Sequence, residues 1–235
     1  MSEIREAVRV HYAEAAKQAA VGSCCDTDCG CGFMPEGAVE LALATPLSLG
    51  SGHPVALANL KPGEVVLDLG SGAGVDVLVA AKAVGEQGHA YGVDMTDEML
   101  ALAEANRQKA GITNASFLKG TIESAPLPAD SVDVVISNCV INLAEDKGAV
   151  LRDAFRVLRP GGRFAVADMV ALEEIAGGEP DLESWAACMA GAIPVEKYRA
   201  LLSDAGFVDV SIDLDGAQGR VTNANVRARK PGSTV

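Results

Sequence analysis

The sequence predicts an α/β fold: a doubly wound, mostly parallel sheet with an antiparallel edge strand. Three observations predict it. From Glu64 onward, short apolar runs alternate with helical segments, the pattern of parallel strands joined by crossover helices. A glycine-rich turn, Gly70-Ser71-Gly72-Ala73-Gly74, sits where the first apolar run passes into the first of those helices. The chain closes on two strand-like segments in succession, which suggests an antiparallel edge.

The elements follow in order. Residues 3–20 are rich in Ala, Glu, Lys and Arg, lack Gly and Pro, and read as a helix. Residues 22–33 are a Gly- and Cys-rich loop. A short helix is expected from about Pro35 to Ala44, with proline in its first turn. The stretch 48–54, SLGSGHP, reads as a loop. Residues 64–70, EVVLDLG, form a continuous apolar run and hence a buried parallel strand. Helical sequence covers 74–85, and HAYGVDM, 89–95, is a second strand. A helix over 97–111 is capped by Thr96 and stopped by Gly111. Strands are expected at 115–120 and 131–138, and a helix over 147–162 closed by Pro160 and Gly161. RFAVADMV, 163–170, is a fifth strand, and helices are expected at 181–193 and 196–207. Strands at 208–214 and 221–228 finish the chain. Three regions result: an N-terminal helix with a Cys-rich segment (1–60), a Rossmann-like core (61–172), and a helical cover with the closing strands (173–235).

Composition narrows the function. The chain carries 19 Lys and Arg against 32 Asp and Glu, a net charge of -13. That field repels a phosphate backbone, and no basic stripe offsets it. Aromatic residues are only 4%, too few for a base-stacking surface. The expected partner is therefore a small molecule and not a nucleic acid. No apolar run reaches the roughly 18 residues of a membrane span, and the charged start MSEIREAVRV lacks a signal-peptide core. The expected compartment is the cytoplasm, where six cysteines stay mostly reduced.

Asp68 lies at the end of the first strand, directly before the glycine turn. Gly70, Ser71, Gly72 and Gly74 let the backbone approach a ligand closely. A bare glycine turn is also an ordinary tight turn, so its neighbours matter. A carboxylate at position 68 suits a cationic ligand and opposes a pyrophosphate at the helix N-terminus. S-adenosylmethionine offers a sulfonium and an ammonium and no phosphate. Asp94, 24 positions after Gly70 and followed by Met95, is placed to accept from both ribose hydroxyls. Position 75 is Val, a departure from the dinucleotide spacing. Thr121, Ile122 and Glu123 follow the third strand. Glu123 suits the exocyclic amine of an adenine, or is a solvated loop acid.

The cysteines carry the acceptor chemistry. Cys139, in Ser137-Asn138-Cys139-Val140-Ile141-Asn142-Leu143, directly follows the fourth strand, at the rim where a donor's methyl group would point. Cys188, in Trp185-Ala186-Ala187-Cys188-Met189, lies beyond the fifth strand in a segment that would cover the same rim. A free Cys is often a small buried hydrophobe, and Cys188 alone reads that way. Cys24, Cys25, Cys29 and Cys31 lack paired zinc spacing, although zinc or an iron–sulfur cluster stays open. Thiolates select soft ions, and trivalent arsenic is a soft centre that takes three ligands in a pyramid.

The segments SNCVINL, GVDMTDEML, FRVLRPGGRF and CMAGAIPVEKY together resemble the arsenite methyltransferase family, within the class I S-adenosylmethionine-dependent methyltransferases. The resemblance runs from about residue 5 to residue 210. It implies methyl transfer from S-adenosylmethionine to cysteine-bound trivalent arsenic. Cys139 and Cys188 match the two cysteines that hold arsenic directly. Cys24 or Cys25 matches an N-terminal family cysteine linked to thiol exchange. Family members commonly carry a further Cys where this chain has Ser51, a hard and poor substitute. An external thiol reductant (thioredoxin, glutathione or a dithiol) is expected to keep cysteines and arsenic reduced. Tyr12 suits packing on the donor's cationic sulfur or ordinary helix packing, and Asn138 and His53 are lining candidates. A methyltransferase acting on a small organic acceptor, and a thiol-based metalloid-binding or redox protein without turnover, are the competing readings.

Overall fold

The computed structural model describes residues 2–20, 53–173, 191–216 and 220–233. The expected helix at 35–44, the Cys-rich segment and most of the expected helix at 181–193 lie outside the described residues. Within them, the chain runs α1 (Glu3–Ala20), α2 (Pro54–Ala58), β1 (Val65–Leu69), α3 (Val75–Val84), β2 (His89–Asp94), α4 (Asp97–Lys109) and β3 (Ala115–Lys119). It continues with β4 (Val132–Asn138), a 3-10 turn (Ile141–Leu143), α5 (Lys147–Val157), β5 (Leu158–Ala171) and β6 (Ile193–Pro194). α6 (Val195–Asp204), β7 (Val208–Asp215) and β8 (Val221–Arg229) complete it.

The strands form one sheet in the order β3-β2-β1-β4-β5-β8-β7, with β6 beside β5. β1 through β5 pair in parallel. β8 is antiparallel to both β5 and β7. The antiparallel strand thus sits one place inside the edge, and β7 takes the edge itself.

Both faces are buried, which is why the strands read as unbroken apolar runs. Successive residues point to opposite faces. Leu67, Leu69, Val135, Phe164 and Val166 pack toward α5 and α6, against Leu151, Tyr198 and Leu202. Val66, Val134, Ile136 and Ala165 pack the other way, against Val77, Leu78 and Ala81 of α3. Two buried layers around one sheet are the physical content of the doubly wound prediction.

Three expectations are corrected. α5 ends at Val157, not near Gly162. Pro160 disfavours helical geometry at Arg159, and Leu158 is already extended (ψ 136°). β5 therefore starts at Leu158, and the Pro-Gly-Gly stretch becomes an irregularity within it. Val132 pairs with Leu158, whereas Val134 pairs with Arg163. Second, Pro54, placed at the end of the expected loop 48–54, instead belongs to a helical turn, Pro54–Ala58. Proline opens it, and Arg163 pins it to the sheet by donating to the Ala58 carbonyl at 3.2 Å while pairing with Glu64 at 2.7 Å. Third, Ile193 belongs to β6, parallel to the end of β5, and not to a helix.

Candidate active site

Register places the carboxyl ends of the strands side by side. Leu69 pairs with Val93 on one side and Ser137 on the other, and Asn138 pairs with Ala167. Gly70, Asp94, Cys139 and Asp168 therefore all emerge at one edge of the sheet. Gly70 turns the chain there at φ +70°, and its N–H donates to the Val93 carbonyl at 2.8 Å. A Cβ on Gly70 would lie 2.3 Å from Cγ1 of Val140, so only glycine fits. Gly72 (φ +50°) is different: a Cβ there meets nothing, because the residue faces the open space of a cleft.

That cleft opens beside the glycine turn, at the carboxyl ends of the strands. Gly70, Gly72, Asp94 and Met95 line one side, and Thr121, Ile122 and Glu123 another. Tyr12 and Arg5 reach in from α1. Asp94 is held in place by two backbone donors: Gly72 N–H at 2.9 Å to Oδ2 and Thr96 N–H at 2.9 Å to Oδ1. Burial pushes its carboxyl up, and those backbone hydrogen bonds oppose the push. Both oxygens keep further lone pairs, so the carboxylate remains an acceptor for vicinal hydroxyls. Thr96 sits at the N-cap of α4, but its side chain does not cap the helix.

Five residues expected at the ligand, Asp68, Ser71, Gly74, Asn138 and His53, do not line this cleft. Asp68 is buried at the end of β1, 3% exposed. Ser71 packs against Gly92, and its Oγ has no hydrogen-bond partner among the described residues. Gly74 caps α3 at φ +84°, where a Cβ would strike the Phe117 ring at 2.5 Å. It permits helix–sheet packing. Asn138 donates to Asp76 Oδ2 at 3.4 Å.

Asp68 and Asp76 form an acidic pair beneath the glycine turn. Burial pushes the Asp68 carboxyl well above the usual range, and the charges of Asp76 and Asp94 push it further. Asp76 is also raised by burial, against the Asn138 hydrogen bond and the nearby His53. Three acids gathered around one turn favour a cation there over an anion. Together with the open cradle at Gly72 and the poised Asp94 carboxylate, these residues fit a nucleoside bearing positive charge.

Cys139 stands beside the cleft. Its backbone adopts φ +57°, rare for a residue with a side chain, and its N–H donates to the Ala167 carbonyl at 2.8 Å. The next residue, Val140, lines the cleft. Behind Cys139 lies a buried polar network. Asp168, 1% exposed, accepts from Asn142 Nδ2 at 2.8 Å, Met169 N–H at 2.9 Å and the Tyr198 hydroxyl at 3.4 Å. Burial first, and then the neighbouring Cys139 thiol, push the Asp168 carboxyl well above its ordinary range. Lys147 donates to the carbonyls of Asn142 and Ala144. Gly191 packs directly on this network: a Cβ there would lie 2.0 Å from the Asn142 carbonyl oxygen. The chain three residues after Cys188 is thereby pressed against the chain three residues after Cys139. Cys24, Cys25, Cys29, Cys31, Ser51 and Cys188 themselves lie outside the described residues.

Arg5, Asp76, Asp168 and Tyr198 escaped the sequence reading. Signals existed for three of them. Arg5 and Tyr12 are seven apart on one helix, hence on one face. Asp76 is the lone acid in an otherwise apolar first turn, and Asp168 the lone acid in AVADMV.

The fold, with its donor cleft at the carboxyl ends of β1 and β2, defines a class I methyltransferase, the class that takes its methyl group from S-adenosylmethionine. The methyltransferase domain family matches residues 60–206. The arsenite methyltransferase of Halobacterium salinarum is 39% identical, over 97% of this chain and 67% of that protein. The arsenite methyltransferase of Aquipseudomonas alcaligenes is 42% identical, over 64% of this chain and 46% of its own length. An arsenic (III) S-adenosylmethionine methyltransferase from Chlamydomonas reinhardtii superposes with a TM-score of 0.63 at 31% identity, covering 86% of this chain and 76% of that one. This chain belongs to the arsenite methyltransferase family. It spans about two thirds of the Halobacterium relative and less than half of the Aquipseudomonas one.

Proposed function

We propose that this chain methylates trivalent arsenic, as arsenite or methylarsenite, held by the thiolates of Cys139 and Cys188, with Cys24 or Cys25 as the third thiol. The observation that carries the proposal is the position of Cys139, one residue from the donor cleft and backed by a rigid network on which Gly191 rests.

S-adenosylmethionine, when bound, supplies an electrophilic methyl group on a sulfonium. Asp94 accepts from the ribose hydroxyls, and Glu123 from the adenine amine. Thr121 and Ile122 flank the base, while Met95 and Tyr12 close the cleft beside it. Asp68, with Asp76 and Asp94 near it, favours the ligand's positive charge. Cys139 and Cys188 exchange onto arsenic as thiolates. They aim the arsenic lone pair at the methyl carbon, and most of the rate gain comes from that alignment. An As–C bond forms as the S–C bond breaks, and its electron pair returns to sulfur. Arsenic is left two electrons more oxidised. An external dithiol, glutathione or thioredoxin returns those electrons, so a reducing compartment such as the cytoplasm suits the reaction.

Cys139→Ser and Cys188→Ser test this separately. Each variant is incubated with arsenite, S-adenosylmethionine and a dithiol, and arsenic species are resolved by chromatography with elemental detection. Methylated arsenic is expected to vanish in both, with donor binding by calorimetry unchanged. Retained methylation in both variants rejects the assignment.

A further inference from the structure

α1 contributes more to the donor cleft than a hydrophobic cover. Arg5, Val8 and Tyr12, spaced by three and four residues, all face it. Arg5 Nη2 donates to Glu123 Oε1 at 2.6 Å, a charge-assisted bond across 118 positions of sequence. Glu123 is the more enclosed partner, its side chain 17% exposed against 37% for Arg5. Its loop is stiffened by a bridge between Thr121 and Ser124.

We propose that Arg5 is a positioning residue for nucleobase choice: by pairing with Glu123 it holds that carboxylate in the cleft as a pure hydrogen-bond acceptor, which admits a 6-amino purine and rejects a 6-oxo purine. The inference rests on the donor reading of the cleft given above. An ion-paired carboxylate offers lone pairs and no proton. Adenine presents an N–H donor at its C6 substituent, whereas a 6-oxo purine presents an acceptor there. Facing Glu123, the first makes a hydrogen bond and the second places oxygen against oxygen. A site built to hydrogen-bond a group rejects analogues that lack it far more strongly than an apolar pocket does. Without the guanidinium, the Glu123 side chain is free to turn toward water and the opposition to a 6-oxo group fades.

Arg5 is not needed merely to attach α1. Val8, Ala13 and Ala16 bury the apolar face of the helix, and Lys17 pairs with Glu98 at 3.2 Å, so the helix is expected to stay docked when Arg5 is changed. The pair thus separates a role in choice from a role in folding.

The test compares binding of S-adenosylhomocysteine and its deaminated counterpart, S-inosylhomocysteine, by calorimetry on the full chain. Wild type is expected to prefer the adenosyl ligand by at least about 100-fold. Arg5→Met should reduce that ratio at least about tenfold with an unchanged unfolding temperature, and Arg5→Lys should restore most of it. Equal weakening of both ligands in Arg5→Met, with the ratio intact, would show a purely structural ion pair and overturn the proposal. Failure of wild type to bind S-adenosylhomocysteine would overturn the donor reading, and this inference with it.

Discussion

Gly191→Ala should disable the acceptor side of the site while sparing the donor side. The new Cβ would lie 2.0 Å from the Asn142 carbonyl oxygen and 2.9 Å from its carbon, where ordinary contact begins at 3.4 Å. One partner must retreat by about 1.4 Å. Asn142 is not the one to yield. It is fully buried, its side chain donates to Asp168 at 2.8 Å and to the Met169 carbonyl at 2.7 Å, and Lys147 holds its carbonyl at 3.2 Å. The Gly191 segment must therefore move, and the proposed ligand Cys188 is only three residues earlier in the chain. Overpacking of this kind costs about 1–3 kcal/mol of stability. A displacement of about 1 Å at reacting groups lowers rates by about 100-fold. Arsenite methylation at saturating donor should fall by about that factor, with the affinity for S-adenosylhomocysteine within about twofold of wild type, because neither Gly191 nor Asn142 lines the donor cleft. Steady-state arsenic methylation, paired with calorimetric donor binding, measures both. Wild-type kcat/KM in a folded Gly191→Ala protein would refute the idea that this segment delivers a ligand to the acceptor.

Gly70→Ala attacks the other side: its Cβ would meet Val140 Cγ1 at 2.3 Å at a backbone φ of +70°, so donor affinity should drop at least about tenfold by calorimetry, in line with the 1–3 kcal/mol cost of overpacking. An unchanged donor Kd would count against the cleft assignment. Asp68→Asn should change the pH dependence of stability. Burial, then Asp76 and Asp94, raise the Asp68 carboxyl in the folded state. Its contribution is complete below the unfolded value of about 3.9 and is lost as pH rises toward the raised folded value. The variant should therefore gain on wild type in thermal stability as pH climbs from about 4, and identical melting profiles at every pH would refute this. Asp168→Leu removes the acceptor for the Tyr198 hydroxyl and the Met169 N–H in a fully buried setting. A loss of at least about 2 kcal/mol is expected in urea unfolding, and a change below about 0.5 kcal/mol would show the network to be dispensable.

Much of the molecule was legible in its sequence because the signals are local. Apolar runs such as EVVLDLG and SVDVVISN announce strands buried on both faces, and alternation with helices announces parallel pairing. The glycine turn after Asp68, the acid at Asp94 and the Gly120–Glu123 loop could be read because each lies at the carboxyl end of a strand, where α/β sheets bind their ligands. Cys139 could be singled out because it directly follows a strand. α5 was read too long because Leu158 suits a helix and a strand equally, and the pairing of β4 with β5 decided between them.

What the sequence determined by itself is most of the order of strands and helices, together with the glycines, acids and cysteines from which the donor and acceptor sites are proposed. Tertiary structure alone decided that Val140 forces Gly70 to be glycine, that Asp68 and Asp168 lose their water, that Gly191 seats on Asn142 and that Arg5 meets Glu123. Each of these contacts joins segments far apart in the chain, and the crossover connections set their distance. Periodicity reports which face of an element is apolar, but not which element will cover it.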